Sequence, residues 1–116
     1  MFIEMKVAGI ILDPSNNVPV LILKDRDERY TVPIWIGIVE ASAIATELEK
    51  TEMPRPMTHD LLRNVLRELG ATVERIEVTE LRDNTFFAAI HLRTAAGPRV
   101  LDSRPSDAVA LALRVS

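Results

Sequence analysis

The sequence predicts an α+β domain: a duplicated βββα unit with mainly antiparallel strands and a connecting helix between the copies. Three observations carry that prediction. Short runs rich in β-branched and large apolar residues alternate with turn signals in both halves. Each half closes on an alanine-rich helical stretch, and the two share a phrase, Glu40-Ala41-Ser42-Ala43-Ile44-Ala45 against Asp107-Ala108-Val109-Ala110-Leu111-Ala112. The offset of 67 residues between them also carries 18–23 onto 85–90 and 30–36 onto 97–103. The repeats therefore run from about 2 to 50 and from 71 to 116, inside one domain spanning 1–116.

Residues 2–12 read as the first strand, and Asp13-Pro14-Ser15-Asn16-Asn17 as the turn after it. A second strand runs from Val18 to Leu23 and a third from Tyr30 to Ile36, with the charged turn 24–29 between them. From Ile38 to Lys50, apolar residues at 41, 44, 45 and 48 make one helical stripe. Pro54 and Pro56 stiffen the link that follows. The linking helix covers 58–69, with Thr58 as expected N-cap and Gly70 as stop. Its leucine and valine positions 61, 62, 65, 66 and 69 are the expected buried face, with Arg63 and Asn64 toward water. Strands are expected over Thr72–Leu81 (with one slip in phase), Thr85–Arg93 and Arg99–Asp102. The final helix, Pro105–Arg114, is apolar all round, which predicts burial.

Composition limits the chemistry. There is no cysteine, which excludes a disulfide scaffold, a thiol nucleophile and thiolate zinc sites. No apolar run approaches the about 18 residues of a membrane span, and the N-terminus lacks a signal-peptide pattern, so the expected setting is cytoplasmic. The net charge is −3, so any nucleic-acid contact needs a local basic groove. Glycine-rich phosphate loops, His-x-x-x-His pairs and Gly-x-Ser-x-Gly elbows are absent, which removes kinases, P-loop NTPases, zincins and ordinary esterases.

Two stretches carry the candidate chemistry. In 54–60, Arg55 sits on a stiff loop, suited to a phosphate; His59 follows at a helix start as a candidate base or acid, and Asp60 lies in the first turn. The bland alternative is a capping cluster. In 102–107, Arg104 stands at a helix N-terminus, where the dipole disfavours a cation. That calls for a ligand anion or a partner carboxylate; the bland alternative is a local Arg104–Asp107 pair. Ser103 joins Arg55 and Arg104 as a phosphate-binding candidate, His59, Asp60 and Asp107 are the catalytic candidates, and Asp102 with Asp107 could hold Mg²⁺. His91 is expected on the solvent side of its strand, and Trp35 in the core or an interface.

These same stretches, together with Val32-Pro33-Ile34-Trp35-Ile36-Gly37, Glu40-Ala41 and Thr85-Phe86-Phe87-Ala88, resemble the bifunctional nuclease domain family over nearly the whole chain. The resemblance implies a small bacterial or plant protein that hydrolyses DNA and RNA without strong sequence preference. The alternatives are a non-catalytic binding or assembly domain and a small-anion sensor on the same scaffold. The resemblance further implies another strand and a tail after the last residue. Without that strand an edge or apolar face stays open for a second subunit to cover, so a homo-oligomer is expected.

Overall fold

A computed structural model describes residues 2–115. The chain runs β1 (Met5–Leu12), β2 (Pro19–Asp25), β3 (Thr31–Trp35), α1 (Ile38–Leu48), α2 (Thr58–Glu68), β4 (Thr72–Arg82), β5 (Thr85–Thr94), β6 (Gly97–Ser103) and α3 (Pro105–Val115). Two three-stranded sheets result, ordered β1-β2-β3 and β4-β5-β6, antiparallel throughout. Each half is thus three strands and a helix, with α2 between the halves, as the repeat requires. The slip in phase in the fourth strand is two bulges, between Val73 and Arg75 and between Val78 and Glu80. Asp83 and Asn84 both take positive φ, the backbone a two-residue hairpin turn needs between β4 and β5.

The final helix is buried for a structural reason: it serves both halves. Val109 and Ala110 join Leu21, Leu23, Ile34 and Ile44 in one core cluster, while Ala108 and Leu111 join Ala88, Ile90 and Leu92 in the other. Alanine on α1 and α3 lets their backbones approach closely, since no longer side chain holds them apart.

Five local expectations are corrected. Strand β1 starts at Met5 rather than residue 2, and β6 runs longer than 99–102 because it pairs with β5 along its whole length. Thr58 is the first helical residue and Met57 the cap; the Asp60 carboxylate accepts the Met57 N–H at 2.9 Å, so the first turn is closed from inside. Trp35 is half exposed, its Nε1–H donating to Asp13 at 2.9 Å across the sheet end. Most consequentially, α2 is turned round. Leu61, Leu62, Val65 and Leu69 are exposed, while His59, Asp60, Arg63, Asn64 and Leu66 are the partly buried positions.

Candidate functional site

The chain reversals bring the N-termini of all three helices to one place. Arg104 caps α3, its carbonyl accepting the Ala108 N–H. Its guanidinium donates to Asp107 Oδ2 and to Glu40 Oε1, each at 2.8 Å. Asp107 Oδ1 meets His59 Nε2 at 2.9 Å. Glu40, His59 and Asp107 lie in the first turns of α1, α2 and α3. The cation that the α3 dipole disfavours is therefore held by two carboxylates that helix dipoles favour.

Asp107 fixes the histidine. Its burial would raise its carboxyl pKa, but hydrogen bonds from Arg104 and His59, with their charges, outweigh burial and hold it below the ordinary 3.8. The carboxylate is ionised at neutral pH and can only accept, so His59 Nε2 carries the hydrogen. In its neutral form His59 keeps a lone pair on Nδ1, the geometry of a base oriented by a carboxylate. The His59 side chain is only 13% exposed, against 33% for Asp107.

Asp60, the neighbour of His59, belongs to a second network. Its Oδ1 accepts Arg114 Nε–H at 2.8 Å. Arg114 further donates to the Ala110 carbonyl at 2.8 Å and to the Ala43 carbonyl at 2.9 Å, and so ties α1, α2 and α3 together with a side chain 1% exposed. The Met57 N–H, ahead of Arg114, keeps the Asp60 carboxyl below its ordinary value against the opposing effect of burial.

Arg55 stands apart from Arg104. It lines a cleft of about 460 Å³ with Glu52, Asp60, Arg63 and Arg114, beside the start of α2. Neither Arg104 nor His59 lines that cleft. Arg104 is held by Glu40 and Asp107 while its side chain stays 62% exposed. Ser103 likewise turns its hydroxyl onto the Arg104 carbonyl at 2.8 Å. Asp102 lies on β6 in a different cleft of about 440 Å³, with Arg82 and Phe87. Asp107 has both oxygens engaged and Asp102 is in that other cleft, so this donor pair does not fit Mg²⁺. Among the described residues no three His, Asp or Glu side chains gather as a metal site. His91 occupies the expected face but is only 20% exposed, held by Glu77 at 2.8 Å.

Two members of the networks were not singled out as site residues from sequence. In the sequence Glu40 stands out only as the acid that opens the repeat phrase. Arg114 had a readable signal: the one basic residue in a helix apolar on every side must be buried, and a buried guanidinium needs an acid.

Gly37 shapes the cluster by lacking a side chain. A Cβ there would run into the Glu40 carboxylate, although its φ of −79° suits any residue. Gly37→Ala should therefore push Glu40 off Arg104 with little backbone strain. In urea unfolding it should cost less in a Glu40→Gln background than alone, because both changes act on one contact.

Acid should loosen the whole arrangement. Glu40 is lowered by its own backbone N–H and then by Arg104; Asp60 and Asp107 are also lowered. Between the depressed folded values and the ordinary 3.8 and 4.5, the unfolded chain binds more protons. Stability from these groups is complete above the ordinary carboxylate range and is lost as pH falls through the folded values. Thermal scans from neutral pH downward should show a plateau, then a fall below about pH 4, shallower in Asp107→Asn.

The fold and site define a class: a repeated βββα scaffold whose three helix starts converge on an Arg–Asp–His cluster. The model of the Bifunctional nuclease domain matches residues 21–116, most of the chain, and the protein belongs to that family. Uncharacterized proteins from two strains of Mycobacterium tuberculosis are each 40% identical to it, with 97% of this chain aligned. The chain spans 66% of the length of those relatives.

Proposed function

We propose that the domain binds nucleic acid and cleaves its phosphodiester bonds, in DNA and RNA alike, in the cytoplasm. The single observation that carries this reading is the His59–Asp107 dyad at 2.9 Å, assembled from residues 48 apart in the sequence, in a member of the nuclease-domain family. His59 Nδ1 is the proton acceptor for an attacking water, Asp107 orients the ring, and Arg104 positions Asp107. Arg55 and Arg63, which share the cleft beside α2, supply cationic contacts to phosphates flanking the one at His59, which lies outside that cleft. No step is routed through a metal.

A second reading has its own observation. Arg114 spends its donors inside the protein, Arg104 gives two of its own to Glu40 and Asp107, and among the described residues no buried side-chain polar atom lacks a partner. A saturated network of that kind suits a non-catalytic binding or assembly domain.

The test is cleavage of supercoiled plasmid and single-stranded RNA by wild type and His59→Ala purified in parallel, with and without chelator. Wild-type cleavage that is absent in the variant supports the nuclease. Equal cleavage by both proteins removes His59 from the chemistry. Binding without cleavage favours the second reading. A chelator effect would require a metal site other than the Asp102–Asp107 pair.

A further inference from the structure

We infer that the outward face of the β1-β2-β3 sheet binds single-stranded nucleic acid, with a base stacked on Trp35 and phosphates at Lys6 and Lys24. The inference rests on the nucleic-acid part of the reading above and not on cleavage. It uses none of the residues placed in the chemistry.

The strand register defines the face. Leu21, Leu23 and Ile34 point into the core. At the alternate positions, one row holds Lys6, Lys24 and Thr31, the far row holds Trp35, and Gly9 and Pro33 belong to the row between. Thr31, Pro33 and Trp35 are accordingly the exposed residues of β3.

Charge is the first observation. Lys6 and Lys24 stand directly opposite each other on β1 and β2. Like charges in that position repel. Lys24 has Glu28 at 3.8 Å, an exposed contact of little strength, and among the described residues Lys6 forms no ion pair. The three strands hold one acid, Asp25, which is buried and accepts the Tyr30 N–H. The sister sheet answers its cations on the spot: Arg75 and His91 share Glu77, and Arg93 holds Glu74. The same repeat thus leaves two lysines unanswered on its first sheet, in a chain of net charge −3. An anion is the complement.

Trp35 is the second and independent observation. Its ring is 54% exposed, yet its direction is fixed, because the indole Nε1–H donates to Asp13 at 2.9 Å. An aromatic already held in place loses little freedom when a base stacks on it. Gly9 has no side chain and Pro33 a short ring, so the floor between Trp35 and the lysines is low. The two end rows are four residues apart along β2, about 13 Å, which a few nucleotides cover. Trp35 also lies two residues before Gly37, the cap of α1, so this end of the face leads toward the Glu40–Arg104 contact.

A duplex hides the base faces that stacking needs, so the partner is single-stranded. A lipid surface fits worse. The indole cannot enter it without Asp13, whose carboxyl is held below its ordinary value, and so charged, by hydrogen bonds from Ser15 and Trp35.

Trp35 is the one tryptophan in the chain, so its emission reports on this face alone. The experiment titrates the full chain with a deoxythymidylate oligomer of about 12 nucleotides, in chelator. Trp35 emission is followed beside the anisotropy of an end-labelled copy, and both signals should move together. The double variant Lys6→Gln, Lys24→Gln should keep the native circular dichroism, weaken binding and lower the log–log salt slope by about 1.4. Trp35→Ala should weaken binding by about 5- to 150-fold, and Trp35→Phe should recover most of that loss. Anisotropy binding with unchanged Trp35 emission and an unaffected lysine variant would overturn this face and leave the nucleic-acid reading standing. No binding by either signal overturns both. Quenching by phosphatidylserine vesicles and not by the oligomer assigns the face to lipid and overturns the inference. Quenching by the oligomer in a protein that cleaves nothing upholds the face and removes the nuclease.

Discussion

Arg114→Met should destabilise the protein by about 3–5 kcal/mol, the largest loss expected from any single side chain. The substitution removes the cation but leaves the Asp60 carboxylate beside the core, and it takes a second donor from the Ala43 and Ala110 carbonyls. Removing one member of a buried pair is costly because the remaining charge has no compensating partner. Methionine fills much of the same volume, so cavity formation is a lesser contribution. Against a typical total of about 5–15 kcal/mol, such a loss leaves a marginal fold. Asp60→Asn should cost less, since an amide oxygen still accepts the Met57 N–H and Asp60 is partly solvated, at 22% side-chain exposure. Urea unfolding of both singles and the double variant closes a double-mutant cycle. A coupling energy near zero would mean that Arg114 acts through packing rather than through Asp60.

The second large effect concerns turnover. On the nuclease reading, His59→Ala should lower cleavage by roughly 10²–10⁴-fold, the usual contribution of a positioned general base. Asp107→Asn should lower it too, with native circular dichroism retained. An asparagine at that site no longer demands the hydrogen on Nε2, so the ring can turn its basic nitrogen the wrong way. The two losses should not add, because they disable one unit. Arg55→Ala and Arg63→Ala should instead raise KM and flatten the salt dependence, as expected of groups that hold phosphate without taking part in bond breaking. An Asp107→Asn variant with wild-type kcat and its pH profile unchanged would separate Asp107 from the chemistry.

Much of the fold was legible in the chain. The repeat phrase around Glu40 and Asp107 predicted two like halves, and the all-apolar run from Ala108 to Leu113 predicted a buried helix. Both follow from local pattern. The candidate site was legible in part. His59, Arg104 and Asp107 were identified by residue type and by place at helix starts, and the oddity of a cation before α3 pointed to a carboxylate. The identity of that partner was not readable, because Glu40 is 64 residues away. The bond between His59 and Asp107 spans 48 residues and was equally hidden.

The reading of α2 failed in an instructive way. Periodicity places leucines on one face, and burial of that face is the ordinary outcome for an isolated domain. Sequence cannot say that His59, Asp60 and Arg63 claim the inward face instead.

By itself, then, the sequence determined element order, strand direction and the chemical character of each helix start. These depend on interactions between residues a few positions apart, where turn geometry and side-chain period leave little choice. Only tertiary structure decided that Arg104 also answers to Glu40, that Arg55 lies in another cleft, and that α2 shows its polar side to the core. Those outcomes turn on how three helices pack. Packing weighs a buried guanidinium and its hydrogen bonds against the burial of four apolar side chains, and no local pattern contains that comparison.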